Sequence, residues 1–363
     1  MLTGTIHHFS GRHFFGRMAR VMTSGIGALV LSGLLAVSPA SAAKDYTVLE
    51  DVEGFDPNAI KYATPSDQAD DNLLLDVVRA NGRLVAVGEF GHVIYSDDQG
   101  MSWTQAETVP TQVTLTTVAF PSDKVGFAGG HDTTIIKTED GGVTWERVYH
   151  DFEAETPIFG LYFDTPQHGF AIGAFSLVLE TNDGGETWEQ TDIVDGGEYD
   201  YHLNDIFEAK DGTIYIAAEF GNVFRSTDDG ESFQAIKTPY EGSFWSGIGL
   251  ADGSVLVYGM RGNVYRTVDG GETWTKVPTG TKKSFGGGVQ LDNGDIILVG
   301  LNGAVAYSSD GGESFLTTSR RDREGYNAVA DGPEGKIVIF GVPGVKIMPD
   351  NAEDAVSQDD VSS

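Results

Sequence analysis

Six aspartates recur at positions 98, 140, 183, 228, 269 and 310, so successive spacings are 42, 43, 45, 41 and 41 residues. Each sits in one eight-residue pattern, S/T-x-D-x-G-x-S/T-W/F, at residues 96–103, 138–145, 181–188, 226–233, 267–274 and 308–315. Carboxylates in such number could act as general acids, as cation ligands, or as acceptors for the amides of a tight turn. The neighbouring residue types select the last role. Asp accepts hydrogen bonds from N–H groups of its own turn, Gly takes the left-handed position, and the Ser/Thr hydroxyls tie the strands at either end. Asp98, Asp140, Asp183, Asp228, Asp269 and Asp310 are therefore expected to be structural. Trp103, Trp145, Trp188, Trp274, Phe233 and Phe315 should seal the outer part of each repeat.

Other chemistry-bearing groups give weaker patterns. Glu89 and Glu219 occupy equivalent loops three repeats apart, so they should face one another rather than form the pair, about 5 to 10 Å apart, that a glycosidase needs. His92, His131, Asp132 and His202 belong to three different repeats and show no dense ligand spacing. No catalytic residue, metal or cofactor is expected. Basic residues are concentrated at Arg261, Lys282, Lys283, Arg320, Arg321 and Arg323, where a local positive patch could meet an acidic partner or an anionic ligand. The competing reading pairs these charges with Asp322 and Glu324. Phe90, Phe175, Phe220 and Trp245 fall where a solvated turn would be polar, as at a protein-contact surface. Burial against the adjoining repeat is the alternative, and Trp245 could instead begin an inner strand.

A period in the forties means a propeller or solenoid array and overrides a two-domain reading of 363 residues. The 48 glycines punctuate short runs rich in Val, Ile, Thr, Tyr and Phe, with no long helical periodicity, so the chain reads as all-β. Each period divides into four strands; the fifth does so at 245–250, 254–258, 263–267 and 273–277. The expected fold is a seven-bladed β-propeller of four-stranded antiparallel blades, with the aspartate turn between strands three and four. The blades fall near 73–110, 111–152, 153–195, 196–240, 241–281, 282–322 and 323–348. The seventh lacks the aspartate pattern, and a strand at 45–50 is expected to complete it, closing the ring over residues 43–348. In such blades the aspartate turns lie on one face. Loops joining strands two and three share the other face with the loops between blades, and function is expected there.

Residues 1–43 contain no acid, carry Arg12, Arg17 and Arg20, run through an apolar stretch at 25–37 and reach Ala40-Ser41-Ala42. This reads as a signal peptide, residues 1–42, with the start at Met1 or Met18, and an exported, periplasmic protein. The apolar run is shorter than the ~20 residues of a membrane span. A chain with no cysteine must hold its fold by burial and sheet pairing. Losing three arginines takes the net charge from −31 to −34, which disfavours nucleic acid. Residues 349–363 read as an acidic solvated tail, and the protein is expected to be monomeric.

The aspartate pattern resembles the Asp-box (BNR repeat) of sialidases, sortilin-type propellers and photosystem II stability/assembly factors. Repeat, blade number, length and export signal together look most like the photosystem II factor family, including relatives in non-photosynthetic bacteria, over residues 73–348. That resemblance implies a non-catalytic scaffold in the periplasm or lumen, docking on a membrane-protein complex through a basic patch. A BNR-repeat glycoside hydrolase is the alternative. Sialidases resembling this repeat use an Arg-Ile-Pro motif, three converging arginines and a Tyr/Glu pair. Arg-Ile-Pro does not occur here, Arg79, Arg83, Arg147, Arg225 and Arg266 fall on strands or the turn face, and Glu198 with Tyr199 would lack a substrate anchor.

Overall fold

The computed structural model describes residues 59–193 and 200–349. Among these the chain forms six four-stranded antiparallel sheets and one three-stranded sheet, arranged as a closed seven-bladed propeller. Blade 1 comprises β1 (Leu74–Ala80), β2 (Arg83–Gly88), β3 (Val93–Ser96) and β4 (Thr104–Gln105); blade 2 comprises β5 (Leu115–Ala119), β6 (Gly126–Gly130), β7 (Ile135–Thr138) and β8 (Glu146–Tyr149). Blade 3 comprises β9 (Ile158–Phe163), β10 (Gly169–Gly173), β11 (Val178–Thr181) and β12 (Glu189–Gln190); blade 4 comprises β13 (Leu203–Glu208), β14 (Ile214–Ala218), β15 (Asn222–Ser226) and β16 (Gln234–Lys237). Blade 5 comprises β17 (Phe244–Gly249), β18 (Val255–Gly259), β19 (Val264–Thr267) and β20 (Thr275–Val277); blade 6 comprises β21 (Phe285–Gln290), β22 (Ile296–Gly300), β23 (Ala304–Ser308) and β24 (Leu316–Ser319). Blade 7 comprises β25 (Tyr326–Asp331), β26 (Lys336–Gly341) and β27 (Gly344–Pro349).

Burial explains the strand sequences. Second strands such as Ile214–Ala218, Val255–Gly259 and Ile296–Gly300 are buried at every position. They sit mid-sheet between two neighbouring blades, so both faces must be apolar, and each fully buried Val, Leu or Ile contributes roughly 1.5–3 kcal/mol. Fourth strands, such as Glu189–Gln190, are exposed edges and are short, as edges that must not recruit other chains tend to be. Inner strands abut their neighbours around the whole circle, β1 meeting both β5 and β25. The circle therefore closes within the described residues. The strand expected from 45–50, the leader 1–42 and the tail from 350 lie outside them. The segment before β1 runs along blade 1, where Ser66 N donates to Gln105 Oε1 at 2.7 Å, and reaches blade 7, where Lys346 meets Asp71 at 3.9 Å.

The aspartate turns behave as their composition requires. In blade 1, Asp98 Oδ1 accepts from Ser96 Oγ at 2.7 Å and Ser102 N at 2.9 Å, and Asp98 Oδ2 accepts from Ser102 Oγ at 2.6 Å. The same set recurs around Asp140, Asp183, Asp228, Asp269 and Asp310. The Ser102 and Thr273 hydroxyls are the largest influences holding Asp98 and Asp269 down at about 2. The turns also join blades. Gly230 has φ +92°, and a Cβ there would fall 2.4 Å from the Phe170 ring of the preceding blade. Trp103 packs edge-on against Phe340 of blade 7 at 5.5 Å, and Phe233 against Phe170 of blade 3 at 6.2 Å. The turn aromatics thus seal each blade against the one before it.

Candidate functional site

Each blade's strand-two to strand-three loop is a single tight turn on the face opposite the aspartate turns. Six of these turns place a residue other than glycine in the left-handed region: Phe90 (φ 59°), Asp132 (φ 54°), Phe175 (φ 54°), Phe220 (φ 55°), Arg261 (φ 59°) and Asn302 (φ 57°). Asn and Asp adopt this conformation readily, whereas for a bulky side chain it is an outlier. Blades 1, 3 and 4 nevertheless put phenylalanine there, and Phe90, Phe175 and Phe220 are 58, 65 and 54% exposed. Leu301 and Val342 add exposed apolar side chains from the equivalent turns of blades 6 and 7. Five of the seven turns therefore present apolar surface to solvent, forming a crown around the propeller axis.

The sequence-predicted polar residues divide into supports and exposed groups. Glu89 Oε1 accepts from Leu73 N at 3.1 Å and Glu219 Oε2 from His202 N at 3.0 Å, so each carboxylate fastens a turn to the incoming inter-blade chain. His92 is buried against Asn72 at 3.2 Å, and burial lowers its pKa below the usual histidine value. His202 Nδ1 accepts from Phe175 N at 3.2 Å, and its ring stacks edge-on with Phe175 and Phe159 at 5.0 and 6.0 Å. Within the basic group, Arg320 is committed to Asp322 at 2.8 Å and to the Tyr326 hydroxyl at 3.0 Å. Lys283 Nζ donates to Asn302 O at 2.8 Å and to Ser319 Oγ. Arg261, Lys282, Arg321 and Arg323 are exposed on blades 5 and 6 and the loop that follows. Between Phe220 and Arg261 an open cleft of ≈ 570 Å³ is lined also by Pro239, Tyr240, Glu241 and Met260. The sector formed by blades 5 and 6 is basic, whereas Glu89, Asp132, Glu153 and Glu155 lie on blades 1 and 2 and the loop after them.

Trp245 departs from the expected loop position. It is the second residue of β17 and lines the central channel. The cause is a bulge that recurs in every inner strand, where pairing with strand two skips one residue: Leu75, Thr116, Phe159, Asn204, Trp245, Gly286 and Asn327. All seven line a channel mouth of ≈ 420 Å³. In six blades the last residue of strand two, facing the bulge, is glycine; blade 4 has Ala218. At Gly300 a Cβ would lie 1.9 Å from Ser284 O, so only glycine lets the inter-blade chain cross there. Just below the bulges, Asp76 Oδ2 accepts from Val118 N of blade 2 at 2.8 Å, and Asp205 Oδ2 from Ser246 Oγ of blade 5 at 2.6 Å. Each carboxylate staples its blade to the next. Burial raises Asp76 to about 6, and burial together with the like charge of Asp76 raises Asp205 to about 7. No position in the sequence pattern marked these two acids.

The arginines expected on strands or the turn face, Arg79, Arg83, Arg147, Arg225 and Arg266, lie on β1, β2, β8, β15 and β19, while Glu198 and Tyr199 lie outside the described residues. Among the described residues no group of three His, Asp or Glu side chains could hold a metal, and no helix is long and apolar enough to cross a membrane.

Comparison with known proteins agrees with this architecture. The family model described as Photosynthesis system II assembly factor YCF48 matches residues 147–321. A solved structure of YCF48 bound to D1 peptide is similar at 16% identity and TM-score 0.62, covering 81% of this chain and 97% of that one. YCF48 from Cyanidioschyzon merolae is similar at 12% identity and TM-score 0.60, covering 80% and 98%. An enzyme, the GH74 protein of Niastella koreensis, is similar at 18% identity and TM-score 0.61, covering 77% of this chain and 52% of that one. At such identities the likeness shows the fold alone, and this fold serves binding proteins and hydrolases alike. A search of curated proteins finds no match.

Proposed function

We propose, from the premise that this chain is a propeller of the photosystem II assembly-factor (YCF48) family matched over residues 147–321, that it is an exported, non-catalytic binding protein. Its strand-two to strand-three face docks on a membrane-protein complex at the periplasmic or lumenal side. The observation that carries this reading is the placement of Phe90, Phe175 and Phe220, exposed and in left-handed backbone. Blade 6 supplies an internal control: at the same turn position it has Asn302, a residue suited to that conformation. Three phenylalanines are held against backbone preference with more than half of their surface in water, each with one ring neighbour, His92, His202 or Tyr201. A use outside the protein accounts for them, as buried aromatic anchors do at interfaces. Arg261, Lys282, Arg321 and Arg323 flank this crown and suit an acidic partner surface, steering approach more than adding affinity. The relative captured with a D1 peptide shows that one propeller of this family binds a polypeptide segment.

The reading is tested by capturing partners from solubilised membranes with the mature chain and with a variant carrying Phe90→Gly, Phe175→Gly and Phe220→Gly. Loss of one membrane-protein subunit with an unchanged melting temperature supports it; equal capture refutes it. The glycoside hydrolase alternative predicts turnover of a chromogenic sialoside or glucan and its loss on changing a face carboxylate such as Glu219. Glu219 and Glu89 already fasten turns, which speaks for the binding reading.

A further inference from the structure

The channel mouth has an unbalanced inventory of charge and hydrogen-bond capacity. Its lining includes the carboxylates of Asp76 and Asp205 but no Lys, Arg or His. Asn204 Nδ2 donates to Phe244 O at 2.7 Å and Asn327 Nδ2 to Leu74 O at 3.4 Å, each crossing to the next blade. No described residue donates to the Oδ1 of either amide. Thr116 spends its hydroxyl proton on Gly129 O and Ile158 O, and Ser246 spends its own on Asp205. The lining thus offers two carboxyl groups and two amide oxygens with no cationic side chain beside them, and a donor-rich cation would complement both the charge and the acceptors. Phe159 and Trp245 stand on either side of Asn204 in the bulge ring and are only half-buried, presenting aromatic surface to whatever enters. Next in the ring comes Gly286, which leaves the mouth open on one side: a Cβ there would meet nothing closer than Asn327 Cα at 3.5 Å. A cavity of ≈ 420 Å³ has room for a small ligand or one long side chain.

We propose that this channel mouth is a binding site for an organic cation, an ammonium or guanidinium on a short apolar stem, seated against Phe159 and Trp245 with its N–H groups directed to Asp76, Asp205 and the amide oxygens of Asn204 and Asn327. The cation is either a free small amine or guanidine, or a Lys or Arg side chain of a docked polypeptide. Binding brings positive charge beside two half-buried carboxyl groups whose protons it displaces, so occupancy releases protons to the buffer. Tyr258, whose hydroxyl lies 3.0 Å from Ser246 Oγ, is the remaining titratable group of the lining, and burial holds it protonated. The crown touches this site through His202, whose ring contacts both Phe175 and Phe159, whereas Phe90 and Phe220 are not part of the lining, so replacing Phe90 and Phe220 with glycine should leave it intact.

The test titrates the full chain with N-butylguanidinium and n-butylammonium, followed by calorimetry and by the indole N–H resonance of Trp245. The neutral isostere N-butylurea serves as control, and acetyl-Gly-Arg-Gly-amide represents a polypeptide source. The cations are expected to bind near the millimolar range and about tenfold or more tighter than the urea, as charge-assisted hydrogen bonds require. Asp205→Asn and Gly286→Leu should each weaken binding by about tenfold or more, the first by removing charge and the second by filling the mouth. Tighter binding of the arginine peptide than of N-butylguanidinium assigns the site to a partner side chain; the reverse assigns it to a free cation. Equal binding of urea and guanidinium, binding unchanged in a folded Asp205→Asn or Gly286→Leu chain, or no binding of either cation overturns the proposal.

Discussion

Replacing Asp205 with asparagine should stabilise the protein above neutral pH, although it removes a residue that joins blades 4 and 5. The amide keeps an oxygen able to accept from Ser246 Oγ and Gly247 N, now at 2.6 and 3.3 Å, and it never ionises. In the native chain the carboxyl rises from its ordinary 3.8 to about 7, chiefly through burial and, with it, the like charge of Asp76. Each tenfold change in proton affinity is worth about 1.4 kcal/mol, so full desolvation would cost the ionised form roughly 4 kcal/mol. Asp205 is half-buried and lines the open channel, so solvent screening discounts this cost to about 1–2 kcal/mol. The sign follows from linkage. Between about pH 4 and 7 the unfolded chain is ionised at this position while the folded chain holds its proton, so native stability falls as pH rises through that window and is level above it. Denaturant titration at pH 5 and pH 8 reads this directly. The variant should gain about 1–2 kcal/mol at pH 8 relative to wild type and much less at pH 5. An equal loss at both values would show that the carboxylate is a favourable ionised staple and refute the reasoning.

The remaining expectations concern other elements. Gly230→Ala should destabilise by roughly 2–3 kcal/mol, since the new Cβ meets the Phe170 ring and the backbone is left-handed; an unchanged melting temperature would count against the turn as an inter-blade contact. Asp140→Ala removes the acceptor for Thr138 Oγ1, Val143 N, Thr144 N and Thr144 Oγ1 and should cost about 2 kcal/mol by the same measurement. Because Asp98 and Asp269 are held at about 2, their contribution is present above the ordinary carboxylate range and is lost as pH falls toward 2, which acid titration of the fold should show. Phe90→Gly should leave stability unchanged or raise it by up to about 1 kcal/mol, by relieving left-handed strain. Reversing Arg261, Lys282 and Arg323 to glutamate should slow partner association most at low salt, measurable by surface-immobilised kinetics.

Much of the architecture was legible because the repeat is long and its chemistry local. Ser96, Asp98, Gly100 and Ser102 define a turn within seven residues, and six copies set the blade period without long-range information. Aligning the repeats also placed Phe90, Phe175, Phe220 and Arg261 on one face, where the structure has them. Their left-handed backbone was harder to read, since phenylalanine does not signal it; Asn302 at the aligned position was the available clue. The bulges were not legible. A one-residue skip at Trp245 or Asn204 arises where the inter-blade chain crosses the end of strand two, at Gly259 and Ala218, which is a tertiary constraint. For the same reason Asp76 and Asp205, unremarkable among 54 acids, emerge as acids of the channel lining only once the ring is closed. Arg320 was grouped with the surface bases, yet Asp322 and Tyr326 hold it in a local network.

The central claim is that the phenylalanine crown is a docking surface on a propeller without catalytic activity of its own. The most direct measurement compares wild type with the Phe90→Gly, Phe175→Gly, Phe220→Gly variant for capture of a defined membrane-protein subunit from solubilised membranes, with both melting curves recorded. The account predicts capture by wild type, loss of at least about tenfold in affinity for the variant as aromatic anchors are removed, and no fall in melting temperature. Undiminished capture by a folded variant would contradict it.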